Sequence, residues 1–193
     1  MMVVQLKGQA TLEDFEAFVD LPENSDKLFE YINGEIVAVP SNPYASEVAN
    51  LLSFFIRLFL MQNNLKGHIT GADGGFMVGG NRYAPDVAYI SYERQPQLAE
   101  KGYNPNPPEL AVEVISDPNN SQEQATLRQK IVSYLAVGTV VWVVDTVAQT
   151  IEVYDGVRTA TVYGIADTVR SGDWLPGFEL AVKDIFPKEQ GDA

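Results

Sequence analysis

Cysteine is absent from the 193 residues, and histidine occurs once, at His68. Without cysteine there are no disulfides, thiolate metal sites or cysteine nucleophile. With a lone histidine, His-pair metal motifs, Ser-His-Asp triads and histidine-based nuclease chemistry fall away. Catalysis must draw on carboxylates, Lys, Ser/Thr, Tyr or a metal held by oxygen. Basic residues are scarce too: 13 Lys and Arg face 26 Asp and Glu, for a net charge of −13. That argues against an extended basic surface for nucleic acid and suits a soluble cytoplasmic protein. No apolar run is long. The greasiest, LLSFFIRLFLM at 51–61, contains Arg57 and is expected to be a buried or interfacial helix, with no membrane partner. The opening MMVVQLKGQA has too short an apolar stretch for a signal peptide. No repeat, low-complexity tract or linker divides the chain, which reads as one α/β domain over 1–193.

What is present is a regular series of elements. TLEDFEAFVDL places Thr11 and Asp14 at capping-box spacing before apolar residues at helical intervals. KLFEYINGEIVAVPS is a hairpin about Asn33-Gly34, with Ile32 facing Glu35, Glu30 facing Val37 and Leu28 facing Val39. Ser41 or Asn42 caps a helix over 43–63, with Pro43 in its first turn. Its polar residues Ser46, Asn50, Ser53 and Arg57 form one narrow stripe, which predicts a nearly enclosed helix. Strands are predicted near 69–78, 83–91 and 109–115. A helix over 121–137 follows, with Ser121 and Gln124 as its capping box and Gly138 as its stop. The strand TVVWVVD then completes a βαβ unit, and short β segments fill the tail.

Three carboxylates sit where apolar residues are expected. Asp86 heads the strand in RYAPDVAYI. Glu113 lies within LAVEVIS, sharing a face with Ala111 and Ile115 while Val112 and Val114 take the other. Glu30, by the hairpin register, shares its face with Leu28, Ile32, Val37 and Val39. Taken singly, each fits a turn, a strand end, an exposed face or an ion pair. Together they invite a common cause, because an unpaired carboxylate is very costly to bury. Converging carboxylates suit Mg²⁺, a hard cation that prefers oxygen and keeps waters. On the 121–137 helix, Lys130 lies about 40° outside Tyr134, at the border of the stripe Leu127, Ile131, Tyr134 and Leu135. From that border its stem can follow the core and send the ammonium inward. Arg82, Arg94, Lys101 and Arg128, on neighbouring segments, are expected to flank the mouth of such a site and meet phosphates.

Pro85-Asp86 followed by Glu113 a loop and a strand later resembles the PD-(D/E)XK nuclease signature. FEYINGEIV, YAPDVAYI, PPELAVEVIS, RQKIVSYLAVG, VVWVVD and LPGFELAVKDIF more closely resemble the Uma-type restriction endonuclease family, across nearly the whole chain. The resemblance implies a restriction-endonuclease-like α-β-β-β-α-β core within a mixed sheet, flanked by an N-terminal helix and hairpin and a C-terminal β extension. It implies a metal-dependent endonuclease, with DNA bound weakly until Mg²⁺ or Mn²⁺ is present. Asp86 and Glu113 would hold the metal, Glu30 would be a further ligand, and Lys130 would be the lysine moved from strand to helix, since Ile115 fills its usual place. Many relatives of the fold pair subunits, so a homodimer is expected. The chain departs from the pattern at Thr126, where the family usually has aspartate, and at PYASE, where it tends to carry histidine and Glu47 is the nearest substitute. These departures leave a rival reading open: a decayed site on a non-catalytic binding or regulatory protein.

Overall fold

Asn33 and Gly34 adopt positive φ, 51° and 91°, the conformation a two-residue hairpin turn needs. They fix the predicted register: Ile32 opposes Glu35 and Glu30 opposes Val37. The computed structural model describes residues 3–4, 9–24, 27, 29–38, 42–156 and 160–187. The Leu28–Val39 pairing and the cap at Ser41 lie outside them.

In chain order the elements begin with β1 (Val3–Val4), α1 (Leu12–Val19), β2 (Phe29–Ile32), β3 (Glu35–Ala38) and α2 (Pro43–Gln62). The central stretch supplies β4 (Gly67–Gly71), β5 (Phe76–Val78), β6 (Asn81–Tyr83), β7 (Val87–Ser91) and β8 (Leu110–Ile115). Then come α3 (Ser121–Ala136), β9 (Val140–Asp145), β10 (Thr150–Tyr154), β11 (Thr161–Tyr163), β12 (Thr168–Arg170) and β13 (Glu179–Ala181). Thr11 and Asp14 form the capping box of α1. The cap of α3 is Asn120, one residue before the predicted Ser121. Its side chain accepts from the Gln122 and Glu123 amides, as a short amide side chain does at a helix start. Gly138, at φ 78°, ends that helix as expected.

A six-stranded mixed sheet runs β11-β10-β9-β8-β7-β4, and β8 and β9 are its parallel pair, joined across α3. The order α2-β4-β7-β8-α3-β9 gives the predicted core. Two strand predictions fail in detail: the stretch 83–91 begins in β6 of a second sheet and forms β7 only from Val87. The stretch near 69–78 is not one strand, because the chain leaves the sheet at Gly71 and turns, with the Gly74 amide bonded to the Gly71 carbonyl. The following β5–β6 hairpin joins a five-stranded sheet, β1-β3-β2-β6-β5. The chain re-enters the six-stranded sheet only after Pro85-Asp86, so Asp86 marks a change of sheet.

Each face of the larger sheet carries a core. Val87, Tyr89, Val112, Trp142 and Val144 pack with Val48, Leu52, Ile56 and Leu60 of α2 and with the C-terminal segment. Ala88, Ala111, Val141 and Val143 pack with Leu127, Ile131 and Tyr134 of α3 and with Ile32 and Val37 of the hairpin. By length and composition α2 is apolar enough to cross a membrane, yet its buried face is seated on the sheet. The prediction of a nearly enclosed α2 is corrected. The sheet covers one side only, leaving Phe54 55% and Met61 72% exposed.

Candidate active site

Four elements bring Glu30, Asp86, Glu113 and Lys130 to one cavity of about 670 Å³. Glu30 comes from β2, Glu113 from the middle of β8, and Lys130 from α3, at 3%, 9% and 5% exposure. Asp86, half-buried, precedes β7. The border position of Lys130 turns its stem inward. Its Nζ donates to Glu30 Oε1 at 2.8 Å and to Glu113 Oε2 at 2.6 Å. The ammonium therefore ties the five-stranded sheet, through Glu30, to the six-stranded sheet, through Glu113. The Tyr83 ring lies 5.8 Å from Nζ, within cation–π range. The Tyr134 hydroxyl donates to Glu113 Oε1 at 3.4 Å. Neither tyrosine was singled out by sequence reasoning as a site residue; Tyr134 read as core, and only its place one turn beyond Lys130 hinted at more.

Backbone amides hold the other carboxylates. Ala84 N–H donates to Glu30 Oε1 at 2.8 Å, and Val114 N–H to Asp86 Oδ2 at 2.7 Å. Burial pushes the Asp86 carboxyl up, opposed by the Val114 amide and by Lys130. Burial raises Glu113 to about 8 against the pull of Lys130, with Glu30 and Asp86 adding repulsion. Burial works against the Lys130 charge, yet Glu113 and Glu30 hold it above the ordinary lysine value. Burial and the same two carboxylates lift Tyr134 well above a free phenol. Beyond burial, three carboxylates stand against one ammonium, so the cluster is two negative charges in excess when all are ionised. Retaining a proton on Glu113 removes half of that excess.

The predicted three-carboxylate metal group is corrected in part. Among the described residues, no three acidic or histidine side chains are grouped to hold an ion. Glu30 accepts through Oε1 from Ala84 and Lys130, and Glu113 accepts at both oxygens, from Tyr134 and Lys130, so an ion on Glu113 must displace one of those donors. The donor set still suits a hard cation: Asp86 and Glu113 offer oxygen only, and Mg²⁺ commonly takes one or two carboxylates and completes its shell with water and phosphate. A double positive charge also matches the excess.

The four expected phosphate contacts are not at the mouth, for none of them lines the cavity. Arg82 is buried on β6 in the other sheet, paired with Glu16 at 3.0 Å. Arg94 is tied to Glu109 at 3.2 Å and to the carbonyls of Pro107 and Pro108. Lys101 and Arg128 are exposed elsewhere. Closeness in sequence to Asp86 or Lys130 misled because Pro85-Asp86 separates two sheets and Arg128 leaves α3 on another face. The cavity lining instead includes Asp73, Asp117, Glu123 and Thr126, together with Ser46, Asn50 and Ser53 of α2. Of these, the α2 polar stripe was visible in the sequence but had no role assigned.

A family model described as "Uma2: Putative restriction endonuclease" matches residues 15–183. A crystal structure from Anabaena variabilis ATCC 29413, described as "a putative nuclease belonging to DUF820", superposes with a TM-score of 0.75 at 23% identity, covering 91% of this chain and 97% of that one. The fold is restriction-endonuclease-like. No curated protein matches.

Proposed function

The chain belongs to the Uma2 family, and from that premise we propose that it is a metal-dependent endonuclease that hydrolyses phosphodiester bonds in DNA in the cytoplasm. One observation carries the reading: a single buried ammonium, held at 2.8 and 2.6 Å, balances only part of a carboxylate cluster that opens onto a cavity. Asp86 and Glu113 would hold Mg²⁺ or Mn²⁺. When bound, such an ion lowers the pKa of water and offsets charge on the phosphoryl group. Asp86 is oriented for this by the Val114 amide, and Glu113 must give up its proton to serve. Lys130, kept charged by Glu30, steadies the phosphate or orients the attacking water from within the cluster. Because the cavity lining is acidic, nucleic acid binds weakly until the metal is present.

Plasmid cleavage in Mg²⁺ or Mn²⁺, run beside Glu113→Gln and with calorimetric Mn²⁺ titration, tests the reading. Cleavage and Mn²⁺ binding by the wild type, both lost in the variant, are expected. The rival, a non-catalytic binding or regulatory protein on the same fold, is favoured by Thr126 and by the net charge of −13. It predicts no Mn²⁺ binding and no cleavage under any metal.

A homodimer through α2 belongs to the same proposal. Its apolar centre would be Phe54 and Met61, 55% and 72% exposed on α2, while Arg57 is turned to the sheet, donating to the Ile69 carbonyl at 3.4 Å.

A further inference from the structure

Ser46, Asn50 and Ser53 follow one another at helical spacing along α2, and all three line the cavity. Serine and asparagine are poorer helix formers than the residues around them, because their side chains compete for the backbone. None of the three makes a side-chain hydrogen bond to another described residue. The stripe thus weakens its own helix and gains no side-chain bond among the described residues, a local inconsistency of the kind found at functional sites.

Its surroundings narrow what it serves. The cavity is bounded by α2, by Gly71, Ala72 and Asp73 after β4, and by Ser116 and Asp117 after β8. Glu113 is 9% exposed and lies within this space. A volume of about 670 Å³ is that of a site for one drug-sized ligand. It takes a nucleotide and part of its neighbour. Among the described residues Lys130 is the one cation in the lining, and two of its three N–H donors go to Glu30 and Glu113. The α2 stripe therefore offers neutral donors and acceptors, which suit base and sugar edges better than phosphate.

We propose, resting on the nuclease reading above, that a nucleotide of the substrate strand enters the cavity and that Ser46, Asn50 and Ser53 contact its base or sugar. These are specificity-determining residues, distinct from the metal-holding carboxylates. The test is fluorescence anisotropy on the full chain in Ca²⁺, with a labelled oligodeoxynucleotide, its blunt duplex and the matching oligoribonucleotide, beside Mn²⁺ calorimetry. The preferred sugar tells whether DNA or RNA is the better fit. The Ser46→Ala/Asn50→Ala/Ser53→Ala variant, whose alanines favour the helix, is expected to lose at least tenfold in strand affinity with Mn²⁺ binding unchanged. A variant with undiminished affinity for single strand and duplex alike overturns the inference. Strand binding without Mn²⁺ binding would leave it standing while the nuclease reading fell. Mn²⁺ binding without strand binding would do the reverse.

Discussion

Replacing Lys130 with Met keeps most of the stem's volume and removes the only cation in the cluster. Glu30 and Glu113, 3% and 9% exposed, would then face each other without their shared partner at 2.8 and 2.6 Å. Breaking a buried ion pair from one side costs about 3–5 kcal/mol, because the remaining charge is left uncompensated. That cost depends on ionisation. Glu113, at about 8, already holds its proton at pH 5, so there the loss narrows to the Lys130–Glu30 pair and the hydrogen bonds and is smaller than at pH 8. The sign follows from linkage: a carboxyl raised in the folded state binds more protons folded than unfolded, so stability falls as pH rises from the ordinary carboxylate range to the raised value and then levels off. Urea denaturation of wild type and Lys130→Met at pH 5 and pH 8 measures the difference. For a chain of this size the pH 8 loss corresponds to a Tm drop of roughly 6–20 °C. Equal losses at both pH values, or a loss under about 1 kcal/mol at pH 8, would show that Lys130 is not balancing buried charge.

Glu113→Gln, without metal, should flatten the wild-type decline in stability between the ordinary carboxylate range and about pH 8, as followed by thermal melts across that interval. The same titration links to metal: Mn²⁺ affinity should rise with pH up to about 8 and then level off, which calorimetry in buffers of different ionisation heat would register as proton release. Gly34→Ala places a side chain at φ 91° with Gln9 atoms 3.2 Å away; a loss of about 1–2 kcal/mol is expected in denaturant melts. Phe54→Ser together with Met61→Ser should give a monomer in light scattering while leaving the melting temperature nearly unchanged, since both side chains are exposed; a wild-type monomer at micromolar concentration removes the dimer proposal.

The sequence was most legible where local chemistry decides. Asn33-Gly34 set a hairpin register, and the register alone put Glu30 on an apolar face. A helical wheel put Lys130 on the border of a buried stripe, from where its four-carbon stem reaches inward. Legibility ended where tertiary placement decides. Apolar residues all round α2 suggested enclosure, but the wheel does not say how much of a helix a sheet can cover, and Phe54 and Met61 were left outside. The glycines from Gly71 to Gly75 marked a break, yet not that β5 and β6 would join the other sheet. That single departure moved Arg82 away from the expected mouth and buried it against Glu16.

The bridge that Lys130 makes between the two sheets bears on how such a site would be lost. Deleting the lysine strands two buried acids, and deleting either acid leaves the ammonium with half its partners. Each single step therefore damages the fold as well as the chemistry, and selection against misfolding would guard the cluster even in a lineage that no longer needed cleavage. Decay would begin at the periphery, at positions such as Thr126 or the α2 stripe, where a change alters what the cavity can do and leaves the two sheets fastened. A descendant that had given up its reaction would then keep the carboxylates and lysine as a structural relic, so the presence of that cluster in a sequence is weaker testimony to activity than the residues around it.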